Sequence, residues 1–232
     1  MLTLKVLSAL LSYPQRETLE ALHEMASAVE REDVLSRPHK TAVLDFIISM
    51  RQSDLIDWQE RYVATFDQGR SLSLHMFEHV HGESRARGQA MVDLLEFYRR
   101  GGFEVAVSEL PDYLPLFLEF LAYQTPDKSV QLLKEVLPVV SILRTRLKER
   151  GSGWHVVFDA LASLSGQAED QAPQAMSATA CPDASAEAVD RQWAEVPQNF
   201  MTPMDSGSPC QSCKVATTAC QREAATGGGA SR

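Results

Sequence analysis

The stretch VQLLKEVLPVVSILRTRL, residues 130–147, decides the fold. Val130, Leu133, Val136, Leu137, Val140, Leu143 and Leu147 recur at the three- and four-residue spacing that lines one face of an α-helix. Pro138 lies inside the run; without an N–H donor it predicts a kink or a junction there. Outward from this stretch the same period returns. Towards the N-terminus, Thr125-Pro126-Asp127 punctuates. Before it, Leu116, Phe117, Phe120 and Leu121 form a face entered through Pro111-Asp112-Tyr113-Leu114-Pro115, since proline is tolerated in a first helical turn. Met91, Leu94, Leu95 and Tyr98 form another face, stopped by Gly101-Gly102. Leu55, Trp58, Tyr62, Val63 and Phe66 make a further stripe, starting at Ser53 or Asp54 as N-cap and ending at Gly69. Val43, Leu44, Ile47, Ile48 and Met50 precede it, beyond a break at Arg37-Pro38. Leu19, Leu22, Met25, Ala26 and Val29, and before them Leu7, Leu10 and Leu11, predict two antiparallel helices separated at Tyr13-Pro14. On the C-terminal side a last helix is predicted from about Trp154 to Leu164 after Gly151.

The period gives no assignment for residues 70–87. No alternating run bounded by hairpin-turn residues occurs before residue 165, so the expected fold is all-α, a single helical bundle over residues 1–165. From residue 166 to 232 the composition turns to Ala, Ser, Gln, Pro and Gly. A segment that buries so little cannot offset its ordering entropy, so a largely disordered tail is expected. One short helix is read within it at 185–196, with Val189, Trp193 and Val196 on one face.

Charge and cysteine placement narrow the function classes. The 232 residues carry a net charge of −9, whereas nucleic-acid binding through phosphate neutralisation needs clustered Lys and Arg, so no nucleic-acid partner is expected. All four cysteines follow residue 180, so no disulfide framework supports the core and a reducing, cytoplasmic setting is expected. The opening residues 1–11 read as a core helix, because Lys5 interrupts the apolar run and no small-residue cleavage site follows. No run approaches the roughly 20 apolar residues that cross a bilayer, and no lipidation motif is visible. The expectation is a soluble protein without direct membrane insertion.

Few residue constellations point to chemistry. In His75-Met76-Phe77-Glu78-His79-Val80-His81-Gly82-Glu83, a helix would set His75 and His79 one turn apart, a spacing that can hold zinc. The order differs from His-Glu-x-x-His and no distant third ligand is identifiable, so the alternatives are a polar network, a partner-binding surface and, least favoured, a metal-dependent enzyme. Cys210-Gln211-Ser212-Cys213 lacks a second pair at standard spacing and reads as incidental tail thiols. There is no G-x-S-x-G elbow, no phosphate-binding Gly-rich loop and no dinucleotide unit. No catalytic residue, metal site or cofactor of the chain's own is expected. Aromatic residues crowd the interval from Trp58 to Tyr123. Most of these rings build core, but a subset beside Glu78, Glu83 and Asp112 would make an apolar groove with an acidic rim, suited to an amphipathic helical peptide carrying basic residues.

Three runs carry a resemblance: Tyr62-Val63-Ala64-Thr65-Phe66-Asp67, then residues 73–85, SLHMFEHVHGESR, and then Arg87-Gly88-Gln89-Ala90-Met91-Val92-Asp93-Leu94. With residues 110–121, LPDYLPLFLEFL, with Leu10-Leu11-Ser12-Tyr13-Pro14, and with Asp190-Arg191-Gln192-Trp193-Ala194-Glu195, the chain resembles the delta-subunit (NarJ) family of respiratory nitrate reductase assembly chaperones. The likeness extends to about Phe200. The wider redox-enzyme maturation family often has Pro-Asp-His where this chain has Pro111-Asp112-Tyr113, so no imidazole role carries over to Tyr113.

The resemblance implies a non-catalytic, all-helical chaperone that binds the N-terminal peptide of the nitrate reductase catalytic (alpha) subunit. It implies that the apoenzyme is held competent for insertion of the molybdenum bis-guanine-dinucleotide cofactor, with cofactor delivery proteins as further partners, and then released for membrane assembly. A structural subunit retained in the mature reductase is the alternative. The residues expected to line the peptide site are Phe66, Leu74, Phe77, Tyr113, Phe117 and Phe120 for apolar contact and Glu78, Glu83 and Asp112 for basic groups. His79, with His75 and His81, would make binding sensitive to pH.

Overall fold

The computed structural model describes residues 1–81, 85–106 and 109–166, with the backbone alone at Arg85. Ten α-helices follow in order: α1 Leu2–Leu11, α2 Arg16–Glu20, α3 Leu22–Arg31, α4 Arg37–Arg51, α5 Leu55–Tyr62, α6 Met76–His81, α7 Arg85–Arg100, α8 Leu114–Ala122, α9 Pro126–Glu149 and α10 His155–Leu164. A π-turn, Val63–Asp67, extends α5, and a 3₁₀ turn, Arg70–Leu72, follows it. Among the described residues the fold is all-α, and pairing of extended backbone is confined to one isolated bridge. The predicted tail, its helix at 185–196 and the four cysteines lie outside the described residues.

Two short helices sit at the centre because they are apolar nearly all round. In α1, Leu4, Val6, Leu7, Leu10 and Leu11 are all buried; in α10, Val157, Phe158, Ala160, Leu161 and Leu164 are. A helix with so narrow a polar edge is stable only when other helices cover the rest of it. α1 lies against α3, α8 and α10, and α10 also packs on α4 and α9. The end of α1 shows how the packing is fixed. Its last carbonyls have no partner within the helix; the Trp154 indole N–H donates to the Leu10 carbonyl at 3.1 Å and the Tyr62 hydroxyl to that of Leu11 at 2.9 Å. Ser8 and Ser129 likewise turn buried hydroxyls onto the carbonyls of Pro115 and Leu121.

Several expected boundaries appear where local chemistry demands them. Asp54 caps α5, accepting from the Ile56 N–H at 3.4 Å. Gly102 ends α7 at φ 74°, where a left-handed residue lets the Phe103 N–H reach the Tyr98 carbonyl at 3.0 Å. Gly101 is needed for space, since a Cβ there would stand 2.6 Å from the Phe120 ring. Two expectations change. The second predicted helix is divided at Ala21 into α2 and α3. Pro138 marks no junction, for α9 runs through it unbroken. Pro138 and Lys134, whose carbonyl loses its usual donor, both face water, so the loss leaves no buried polar group.

Candidate functional site

The segment without helical period, residues 70–81, is built by contacts from far along the chain. Ser73 to His75 lies beside the Pro111–Leu114 entrance of α8. The Leu114 N–H donates to the Leu74 carbonyl at 2.8 Å and the Met76 N–H to the Asp112 carbonyl at 2.9 Å, pairing His75 with Tyr113. Helix α6 begins only at Met76, so His75 lies outside it and the two imidazoles do not share a helical face. His75 turns to Asp112, with Nδ1 at 3.1 Å from Oδ1, whereas His79 sets Nε2 2.8 Å from the Ser73 carbonyl.

Asp112 is the organising group. Its side chain is wholly buried, which an isolated carboxylate would not tolerate. Three donors surround it: the His75 imidazole, the Phe77 backbone N–H at 3.3 Å and Arg87 Nη2 at 3.5 Å. The Phe77 bond satisfies a free N–H in the first turn of α6, so a residue 35 positions away caps this helix. Arg87 also reaches Glu78 Oε1 at 3.4 Å. The hydrogen bond to Asp112 raises the His75 pKa above 6.5 against the opposing effects of burial and Arg87. Burial is the main cause that lowers the pKa of His79.

Two tyrosines hold the other side of the bridge. The Tyr98 hydroxyl, in the last turn of α7, donates to the Pro111 carbonyl at 2.8 Å. The Tyr62 hydroxyl lies 3.1 Å from that of Tyr113, and burial raises the pKa of both groups.

The predicted site residues divide by depth. Phe66, Leu74, Phe117 and Phe120 are buried, and Asp112 faces inward rather than towards solvent. Phe120 is enclosed by Phe97, Tyr98 and Phe103, with ring centroids at 5.4, 5.0 and 5.7 Å. Phe77, Glu78, His79 and Tyr113 are half-buried and reach the surface together with His81 and the exposed Val80. Glu83 lies outside the described residues. The surface thus offers aromatic edges, with the Phe77 and His81 rings 5.3 Å apart and those of His75 and Tyr113 5.4 Å apart, next to the Glu78 carboxylate. Such a surface can hold an apolar helix edge and a cation. Among the described residues no three His, Cys, Asp or Glu side chains converge as metal ligands.

The sequence places Tyr62 and Tyr98 only in helical apolar stripes and gives no site role to them or to Arg87. Arg87 had one available signal: a buried Asp112 needs a counter-charge. Recognising it required knowing that Asp112 is buried.

A family model described as nitrate reductase delta subunit matches residues 11–160. The chain is 38% identical over 208 residues to the nitrate reductase molybdenum cofactor assembly chaperone NarJ of Escherichia coli K12, covering 89% of this chain and 88% of that one. It is 38% identical over 211 residues to the probable assembly chaperone NarW of the same strain, covering 90% and 87%. It is 30% identical over 167 residues to a probable NarJ of Bacillus subtilis 168, covering 70% and 90%. With the family model spanning the helical body and relatives matched over nearly their whole length, the chain belongs to the nitrate reductase delta-subunit family.

Proposed function

We propose that this chain is a cytoplasmic, non-catalytic chaperone for a molybdenum-containing nitrate reductase. It binds the N-terminal segment of the catalytic subunit and keeps the apoenzyme competent for cofactor insertion before membrane assembly. The observation that carries the reading is similarity at 38% identity over nine-tenths of the chain to proteins named as assembly chaperones for that cofactor. The surface formed by α6, the bridge and the start of α8 suits peptide capture, because Phe77, His79 and Tyr113 supply ring edges and the Glu78 carboxylate meets basic groups. Asp112 and Leu74 hold that surface from beneath, while Phe66, Phe117 and Phe120 are core residues, Phe66 against Tyr62 and Trp154 and Phe120 against Phe97, Tyr98 and Phe103. Among the described residues no helix is long and apolar enough to cross a membrane.

A chaperone must bind the unfinished client better than the finished one, because only differential affinity drives release. Folding that buries the client's N-terminal segment supplies that difference. The test is a pull-down from cells making apo-reductase and from cells making mature reductase. The chain should accompany the apoenzyme and be absent from the mature complex. Retention in the mature complex at equal stoichiometry would instead identify a structural subunit.

A further inference from the structure

We propose that Arg87 occupies the place of a client's basic side chain, and that the first turns of α7 cover the peptide site until a client displaces them. The proposal rests on the chaperone function, and begins from how unevenly α7 is held. Among its residues whose burial is described, Tyr98 in the last turn is the buried one. Val92 is 58% exposed, and a Cβ at Gly88 would meet nothing within 4 Å. By contrast, nearly every apolar residue of α8 is buried. The C-terminal end of α7 is fastened by the Tyr98 bond to Pro111 and by the Phe97 and Tyr98 rings against Phe120. Leu94 leans on the core midway. Near the other end stands Arg87.

The Arg87 contacts are those of a displaceable ion. At 3.4 and 3.5 Å from Glu78 and Asp112 it is at the outer limit of hydrogen bonding and divided between two carboxylates, with a quarter of its side chain exposed. Asp112 does not depend on it alone. His75 and the Phe77 N–H belong to the adjoining segment and stay in place when α7 moves, so withdrawing Arg87 leaves the buried carboxylate two partners. What it loses is one cation, which an incoming cation replaces.

The sequence of α7 also offers what a client helix would bring. Arg87 is followed by Met91, Leu94 and Leu95 at i+4, i+7 and i+8, a basic residue one turn ahead of an apolar stripe. A client peptide with that pattern competes for the same carboxylates and the same apolar flank of α6. Its apparent affinity is the intrinsic affinity reduced by the fraction of molecules in which α7 is lifted.

The proposal predicts a gain of binding on removing a charge that a contact residue would need. In full-length protein, Arg87→Met should speed amide exchange in the first half of α7 roughly tenfold. It should also tighten binding of a synthetic peptide of the catalytic subunit's N-terminal segment by a similar factor. Arg87→Lys, which keeps the cation, should restore both towards wild type. Leu94→Ala loosens α7 without touching a charge, should shift both readouts the same way, and serves if Arg87→Met does not fold. Unchanged exchange in α7, or affinity that falls in Arg87→Met and in Leu94→Ala, overturns the proposal. If the peptide binds none of the proteins, the client reading falls and the stand-in role with it. The exchange measurement alone then decides whether Arg87 fastens α7.

Discussion

The two sides of this molecule are held together by different forces. Around Trp154, the rings of Phe46, Trp58, Tyr62 and Phe66 lie within 5.0–6.0 Å of one another or of Trp154 itself, mostly edge to face, and the cluster joins α4, α5 and α10 to the end of α1. Around Asp112, order comes from one carboxylate, an imidazole, a guanidinium and two backbone bonds, beneath side chains that are half exposed. Apolar packing is non-directional and loses energy at every contact when it is opened. A charge network can exchange one partner for another at small net cost. On the proposed function, which requires a segment to be taken up and later released, the second side is the adaptable part and the first the fixed frame.

The largest effect should come from breaking the frame. Trp154→Ala should cost about 3–5 kcal/mol in denaturant unfolding, the range for a buried ring replaced by a cavity. The molecules that remain folded should bind client peptide with unchanged affinity; a parallel loss of affinity would place the aromatic cluster inside the site.

Asp112→Ala attacks the other side. It removes one of the two carboxylates that hold Arg87, leaves the Phe77 N–H in the first turn of α6 without its acceptor and should destabilise the fold by about 1–3 kcal/mol, the cost of a donor left unsatisfied. Unlike Trp154→Ala, it should also abolish protection of the amides of α6. A loss below about 0.5 kcal/mol would mean that the network adds nothing to the fold.

A smaller effect separates the two buried indoles. Trp154 donates to Leu10, but Trp58 Nε1 is buried without an acceptor among the described residues. Trp154→Phe should therefore cost about 1–2 kcal/mol, while Trp58→Phe, which removes an unsatisfied donor, should be close to neutral. Equal losses in thermal unfolding would contradict this account of the cluster.

The smallest effect is the pH dependence of the bridge, where the two histidines oppose each other. The pKa of His75 is raised, so its contribution to stability is full below about 6.5 and is lost as pH rises through the raised value. The pKa of His79 is depressed, so its contribution is full above about 6.5 and is lost as pH falls through the lowered value. Thermal midpoints followed against pH should lose their alkaline decline in His75→Gln and part of their acid decline in His79→Gln. If the two variants trace the wild-type curve, neither imidazole is linked to folding.

The long helices and their stops were legible in the sequence and the way the Asp112 side is held was not, for one physical reason. The stripe from Val130 to Leu147, the Asp54 cap and the Gly101-Gly102 stop are local: their residues act on neighbours within a few positions. The six residues of α6 are too few to show a period, and the group that caps them is Asp112. Depth was equally hidden. Phe117 and Phe120 read the same from composition whether they wall a groove or fill a core, and their spacing turns both inward. Asp112, next to Pro111 in a helix entrance, reads as part of an acidic rim, since carboxylates are rarely buried unpaired. Its inward turn depends on His75 and Arg87 arriving from other elements.

On the proposed function, the side built on Asp112 receives the client. That placement is tested most directly by amide exchange of the full-length protein with and without the N-terminal peptide of the nitrate reductase catalytic subunit. The peptide should change exchange in α6, in the first turns of α7 and around residues 110–114, while the amides of α4, α5 and α10 stay as they were. Changes confined to α4, α5 and α10, with α6 and residues 110–114 unaltered, would contradict it.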